Sequence, residues 1–195
     1  MNPLTKLKKN WIYETIVTTW NEDKKPHSAP IGISTPDHEK IVLKLYKTSK
    51  TYKNVLNSRI FVVNFVDDVE LFYKAIFEKE KLSYRKVTHG GDYPVLEGAA
   101  AYMGAEVSGI REDEDAALIS SDVIFSGINK EFNESFLFNR AKSLALECIT
   151  AYTKMDAGVE GEFFRKEILN NYGIIKKVAP GSNYERLVKE ILNKI

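Results

Sequence analysis

The chain has 195 residues, 44% hydrophobic and 28% charged, enough to bury a full core in one domain carrying a small appendage. Its 28 basic residues are balanced by 27 acidic ones, and a net charge of +1 gives no bulk electrostatic reason to bind nucleic acid. The single cysteine, Cys148, leaves no intramolecular disulfide and no cysteine-based metal site, and no apolar run approaches the length of a bilayer span, so the expectation is a cytoplasmic protein that does not enter the membrane.

Three strands come first. "WIYETIVTT" at 11–19 alternates and is rich in β-branched and aromatic residues, "NEDKKP" at 21–26 is a polar loop, and "SAPIGIS" at 28–34 returns as the second arm of a hairpin. After the turn "PDHE" at 36–39, "KIVLKLY" at 40–46 resumes with Ile41, Leu43 and Leu45 on one face. The hydroxyl- and lysine-rich "KTSKT" at 47–51 then leads into a short helix beginning near Ser49 or Thr51. "RIFVVNFV" follows as a strand whose apolar residues occupy both faces, interrupted only by Asn64.

Residues 68–80 are predicted helical, with Asp68 and Glu70 at the positive end, and "THGGDYP" at 88–94 is a turn cluster. Segments 99–110 and 116–126 form a long strand pair across "REDED", although alanine leaves the first half ambiguous. From about 139 the period becomes helical. Ala141, Leu144, Ala145, Cys148, Ile149 and Tyr152 share one stripe, which makes Cys148 a packing residue. A second helix covers 161–172 and stops at Gly173, and a third opens with Ser182 and Glu185 in a capping box and continues the stripe through Tyr184, Leu187, Val188, Ile191, Leu192 and Ile195. The class is α+β, mainly β: a barrel or sheet over 1–128, then a helical subdomain over 129–195 packed on it, with the boundary near the polar stretch 127–136.

"KTSKT" carries the most suggestive chemistry. A phosphate monoester needs several converging donors, and a loop entering a helix offers hydroxyls, backbone N–H groups and the positive helix end together. A solvated turn with a Ser or Thr helix cap accounts for the same residues on composition alone. The glycines of a Walker A loop are absent, and no G-x-G-x-x-G follows a strand. His27, His38 and His89 are widely separated and form no ligand pattern, so no metal site is expected; His89, beside two glycines, is the one placed to approach a ligand, and an exposed turn also explains it. "REDED" lacks the ligand spacing of an EF-hand, and no G-x-S-x-G marks a hydrolase.

The run "KTYKNVLNSRIFVVNF" resembles a segment of the flavin reductase-like, FMN-binding split-barrel proteins, with Thr51, Asn54, Phe61, Val62, Val63 and Asn64 matching in order. "SAPIGIS" and "YPVLEGAAAYMGAEVSG" are similar to two further passages of that family, and together the similarity spans roughly 11–128. The helical tail departs from common flavin reductases and looks like a smaller prokaryotic and archaeal branch of FMN-containing split barrels. The resemblance implies FMN as cofactor. Thr48, Ser49, Lys50 and Thr51 would surround its phosphate, with Lys47 as a further contributor and Asn54 bracing the loop. Ile31 and Gly32 would lie along the isoalloxazine, and Asn64 near the flavin or beneath the loop; His89 joins the candidate contacts. It also implies a homodimer with FMN near the interface and a reduced nicotinamide or deazaflavin as electron donor. An FMN-dependent oxidoreductase is the leading expectation, with a binding protein for FMN or another phosphate-bearing ligand as the alternative. No catalytic residue is assigned.

Overall fold

The computed structural model describes residues 2–129, 132–158 and 161–195. Six strands, β1 (Tyr13–Trp20), β2 (Pro26–Ser34), β3 (Lys40–Tyr46), β4 (Ile60–Phe65), β7 (Ala101–Glu112) and β8 (Ala116–Ile128), close into a barrel in the order β1-β2-β3-β8-β7-β4. Alternate residues fill its interior. Register places Ile33 beside Leu43, Leu43 beside Ile119, Phe61 beside Ala105 and Val63 beside Met103, all buried. Helix α1 (Lys50–Ser58) bridges β3 and β4, and α2 (Val69–Phe77), capped by Asp68, follows β4.

The other face of β4 is buried as well. Two covering elements supply the contacts: α2 and the hairpin of β5 (Tyr84–Thr88) and β6 (Asp92–Leu96), which place Ala75, Leu96 and Val95 in clusters with Ile16 and Val62. The sequence reading has no strands here. Arg85, Lys86 and a proline paired directly opposite Lys86 weaken the alternating pattern, which suits a two-stranded hairpin outside the barrel.

The chain separates into two compact units. One holds residues up to Lys9 together with Glu14–Phe138, and the other holds Asn10–Tyr13 together with Asn139–Ile195. The first strand therefore starts at Tyr13 rather than at 11, and Trp11 and Ile12 pack in the core of the helical unit. That unit contains α3 (Ala141–Asp156), α4 (Gly161–Val178) and α5 (Asn183–Leu192). Asn139 ties it together by donating to the carbonyls of Ile12 (2.8 Å) and Val178 (2.9 Å) while accepting from Ala141 N (2.9 Å). Cys148 is fully buried, and burial pushes its thiol up to about 11.

Three expectations for this unit are corrected. Helix α4 does not stop at Gly173, because Ile175 and Val178 continue the buried stripe, and the helix ends before Pro180 and Gly181, whose φ of 69° is the left-handed conformation. Ile149 and Leu187 lie off the buried stripes, 43% and 38% exposed. Among the described residues no helix is long and apolar enough to cross a membrane.

Candidate functional site

Tyr46 ends β3 beside the wall of the barrel, and the chain then turns through Lys47, Thr48 and Ser49 into α1. Ser49 is extended, and its Oγ accepts from Tyr52 N at 3.2 Å, which makes it the N-cap. The N–H groups of Lys50 and Thr51, in the first turn, have no intrahelical acceptor and add to the positive end of the helix.

Asn54, one turn further on, is 5% exposed and donates to Thr19 Oγ1 (2.9 Å) and Asn21 Oδ1 (3.0 Å), which pins the β1–β2 turn against α1. Between that turn and the helix lies an open cleft of about 470 Å³, with Thr48, Lys50, Lys53 and Asn54 on one side and Asn21, Glu22 and Asp23 on the other. Asp23 forms its own ion pair with Lys25, at 3.4 Å.

Behind the loop, Thr51 is 1% exposed and its Oγ1 lies 3.3 Å from Nε2 of His27, a residue of β2 that is itself 9% exposed. Burial pushes the His27 imidazolium down to about 4, and the nearby ammonium groups of Lys79 and Lys50 push in the same direction. Lys79, in the short 3-10 turn Lys79–Lys81, is lowered first by burial and then by Lys50. Among the described residues, neither Lys50 nor Lys79 has an ion-pair partner. A neutral histidine thus sits against a buried hydroxyl at a helix N-terminus, with two lysines close enough to act on its charge, and an anion there would relieve the repulsion among them.

The structure distributes the remaining candidates unevenly. Lys47 is drawn away to Glu112 (2.9 Å), which also accepts from Tyr52 Oη (2.8 Å); the hydrogen bond it donates to Glu112 raises the ammonium above its usual range. Ile31 and Gly32 lie half-buried on β2, and strand alternation puts Ile31 on the same face as His27. Asn64 is fully buried: its Nδ2 donates to Ile16 O (2.9 Å) and Thr18 Oγ1 (3.0 Å), and its Oδ1 accepts from Leu96 N (2.9 Å). Both of its amide hydrogens are thereby used, and it clamps β1, β4 and β6 together. His89 is exposed at the tip of the β5–β6 hairpin, where its ring packs against Phe125 with centroids 5.2 Å apart.

His27 and Lys79 are the two groups that sequence reasoning missed. Starting the second strand at Ser28 left His27 in a loop, whereas alternation carried one residue back places it with Ile31. Lys79 reaches the site through tertiary structure alone, and no local pattern marks it. Among the described residues, no group of three or more His, Cys, Asp or Glu side chains is arranged to hold a metal ion.

Residues 13–130 match the family model described as "Protein of unknown function (DUF447) N-terminal domain". The uncharacterized protein MJ1453 of Methanocaldococcus jannaschii is 26% identical over 198 residues, covering 94% of this chain and 98% of its own length. Among solved structures, the FMN-bound protein MM1853 from Methanosarcina mazei, a DUF447 member, is 25% identical with a TM-score of 0.57 and covers 97% of both chains. The flavin reductase HpaC complexed with NADP+ is 20% identical with a TM-score of 0.55 over 66% of this chain and 86% of its own. An FMN-binding protein from Thermus thermophilus with bound 1-cyclohex-2-enone is 16% identical with a TM-score of 0.55 over 65% and 76%. The last two show likeness of fold. The chain belongs to the DUF447 family, and its barrel is the split barrel of flavin reductase-like proteins.

Proposed function

We propose that this protein is an FMN-binding flavoprotein and acts as an oxidoreductase of flavin reductase-like type. The observation that carries the reading is the grouping of Thr48 and Lys50 on the cleft at the N-terminus of α1, with Thr51 against His27 behind them and Lys79 close enough to act on the His27 charge, in a chain 97% of which aligns with an FMN-bound family member. The donor set suits a phosphate monoester: ammonium groups, hydroxyls and helix N–H groups on the α1 side of a cleft whose other side carries Glu22 and Asp23, with no carboxylate among the described residues ion-paired to Lys50 or Lys79.

Thr48 and Lys50 would bind phosphate oxygens from the cleft side, and Thr51 from the buried side. Ser49 accepts the Tyr52 N–H, and its own hydroxyl hydrogen stays available to donate. Asn54 holds the β1–β2 turn so that the cleft keeps its width. Ile31 and Gly32, further along β2, are the residues we assign to the isoalloxazine. When bound, FMN supplies the redox chemistry, and the protein positions it and controls access to it. Two copies pairing with the flavin near their interface, and a reduced nicotinamide or reduced deazaflavin as donor, complete the proposal.

Native mass spectrometry and a visible spectrum of the untagged protein, as purified and after adding FMN, test the cofactor. Bound FMN is expected, and a colourless protein that ignores added FMN would remove the reading. Anaerobic mixing with reduced nicotinamides and a reduced deazaflavin tests turnover through bleaching of the flavin band. Failure with every donor would leave a binding protein without turnover.

A further inference from the structure

We infer that His27 is a specificity-determining residue of the phosphate site, taking up a proton from solvent as a phosphate dianion binds and so favouring phosphorylated over unphosphorylated flavin. This rests on reading the α1 loop as the flavin phosphate site.

The geometry puts His27 one hydrogen bond behind the ligand position. Its Nε2 is 3.3 Å from Thr51 Oγ1, and Thr51 sits in the first turn of α1 beside Lys50. The groups around the ring are mostly cationic or neutral. Lys50 comes from α1 and Lys79 from the 3-10 turn after α2. Tyr84, on β5, donates to Ser28 Oγ at 3.1 Å on the other face of β2, and burial raises its hydroxyl above the ordinary range, so it adds no charge. Of the nearby acids, Glu70 pairs with Lys74 at 2.6 Å and Glu78 with Lys81 at 2.9 Å, Glu80 is exposed in the same turn as Lys79, and Asp23, paired with Lys25, lies near enough to Lys50 for the two charges to act on each other.

In the free protein, then, His27 faces two cations in a desolvated position and stays neutral. A phosphate monoester brings a charge of about −2 at neutral pH to the far side of the Thr51 hydroxyl. That charge reverses the local field and favours the imidazolium. Proton uptake also fixes a hydrogen-bond direction. Neutral His27 can either donate to or accept from Thr51 Oγ1, but the imidazolium can only donate, which commits the Thr51 hydrogen to the phosphate. Riboflavin lacks the phosphate and triggers neither change.

Calorimetric titration of the full chain with FMN and with riboflavin tests this between pH ~6.5 and ~8.5, where the phosphate remains largely dianionic. FMN affinity should strengthen as pH falls, by up to about tenfold per unit for one linked proton, while riboflavin affinity stays flat. Repeating the FMN titration in buffers of different ionisation enthalpy should reveal net proton uptake. His27→Gln should abolish the FMN slope and the uptake and leave riboflavin binding unchanged. If that variant does not fold, Lys79→Gln should weaken FMN binding, spare riboflavin, and move the pH at which FMN affinity levels off upward. Equal pH dependence for the two flavins, no proton uptake, or a slope that persists in full in His27→Gln would overturn the inference while FMN binding itself survived. A wild-type protein that binds neither flavin would overturn the phosphate-site reading, and this inference with it.

Discussion

At Ser49 the helix cap and the proposed phosphate contact are separable. The Oγ accepts from Tyr52 N at 3.2 Å, so Ser49→Ala should lower the stability of the FMN-free protein by about 1 kcal/mol in denaturant unfolding. Asn64 carries a structural load that can be measured without any ligand. Truncating it to alanine strands the buried Leu96 N–H and frees Thr18 and the Ile16 carbonyl, which should cost about 1–3 kcal/mol or more by the same measurement. The resemblance placed Asn64 near the flavin or beneath the loop because the type and position match. A buried asparagine that clamps three strands meets the same sequence requirement, and only the partners on β1 and β6 reveal that use.

Helix α4 shows where local signals mislead. Gly173 looked like a stop because glycine ends helices when the backbone turns left-handed, but here a Cβ would meet nothing within 4 Å and the helix continues to Val178. Gly173→Ala should therefore stabilise the protein by about 0.5–1 kcal/mol, read as a higher denaturation midpoint. The barrel strands and α1 were legible because each carries a clear period and strong turn residues at its ends, and the loop from Thr48 to Thr51 was legible because its donors are contiguous. The β5–β6 hairpin was not, since charges and Pro94 break its pattern. Neither was the second half of the candidate site, since His27 meets Thr51, and Lys79 comes near His27, only when β2 and the turn after α2 are folded against α1.

For the molecule as a whole, the cationic site makes stability depend on pH in a stated direction. His27 titrates at about 4 when folded against an ordinary value of 6.5, so between these the unfolded chain holds more protons. Stability of the FMN-free protein should be full above this window and fall as pH drops through it, by on the order of 2 kcal/mol, and His27→Gln should flatten that loss in denaturant melts. Glu112, held below the usual carboxylate range first by the Lys47 hydrogen bond, adds a loss in the same direction at lower pH. The decisive comparison is FMN against riboflavin, titrated into the wild-type protein and into Thr48→Ala/Lys50→Ala, a variant that leaves the Ser49 cap and buried Thr51 in place. Charge-assisted hydrogen bonds of roughly 1.5–3 kcal/mol each imply that FMN affinity in the variant falls by about two orders of magnitude or more, with riboflavin affinity and apo-protein melting nearly unchanged. Equal affinity of the wild-type protein for FMN and riboflavin, or undiminished FMN binding in the variant, would contradict the assignment of this loop to the flavin phosphate.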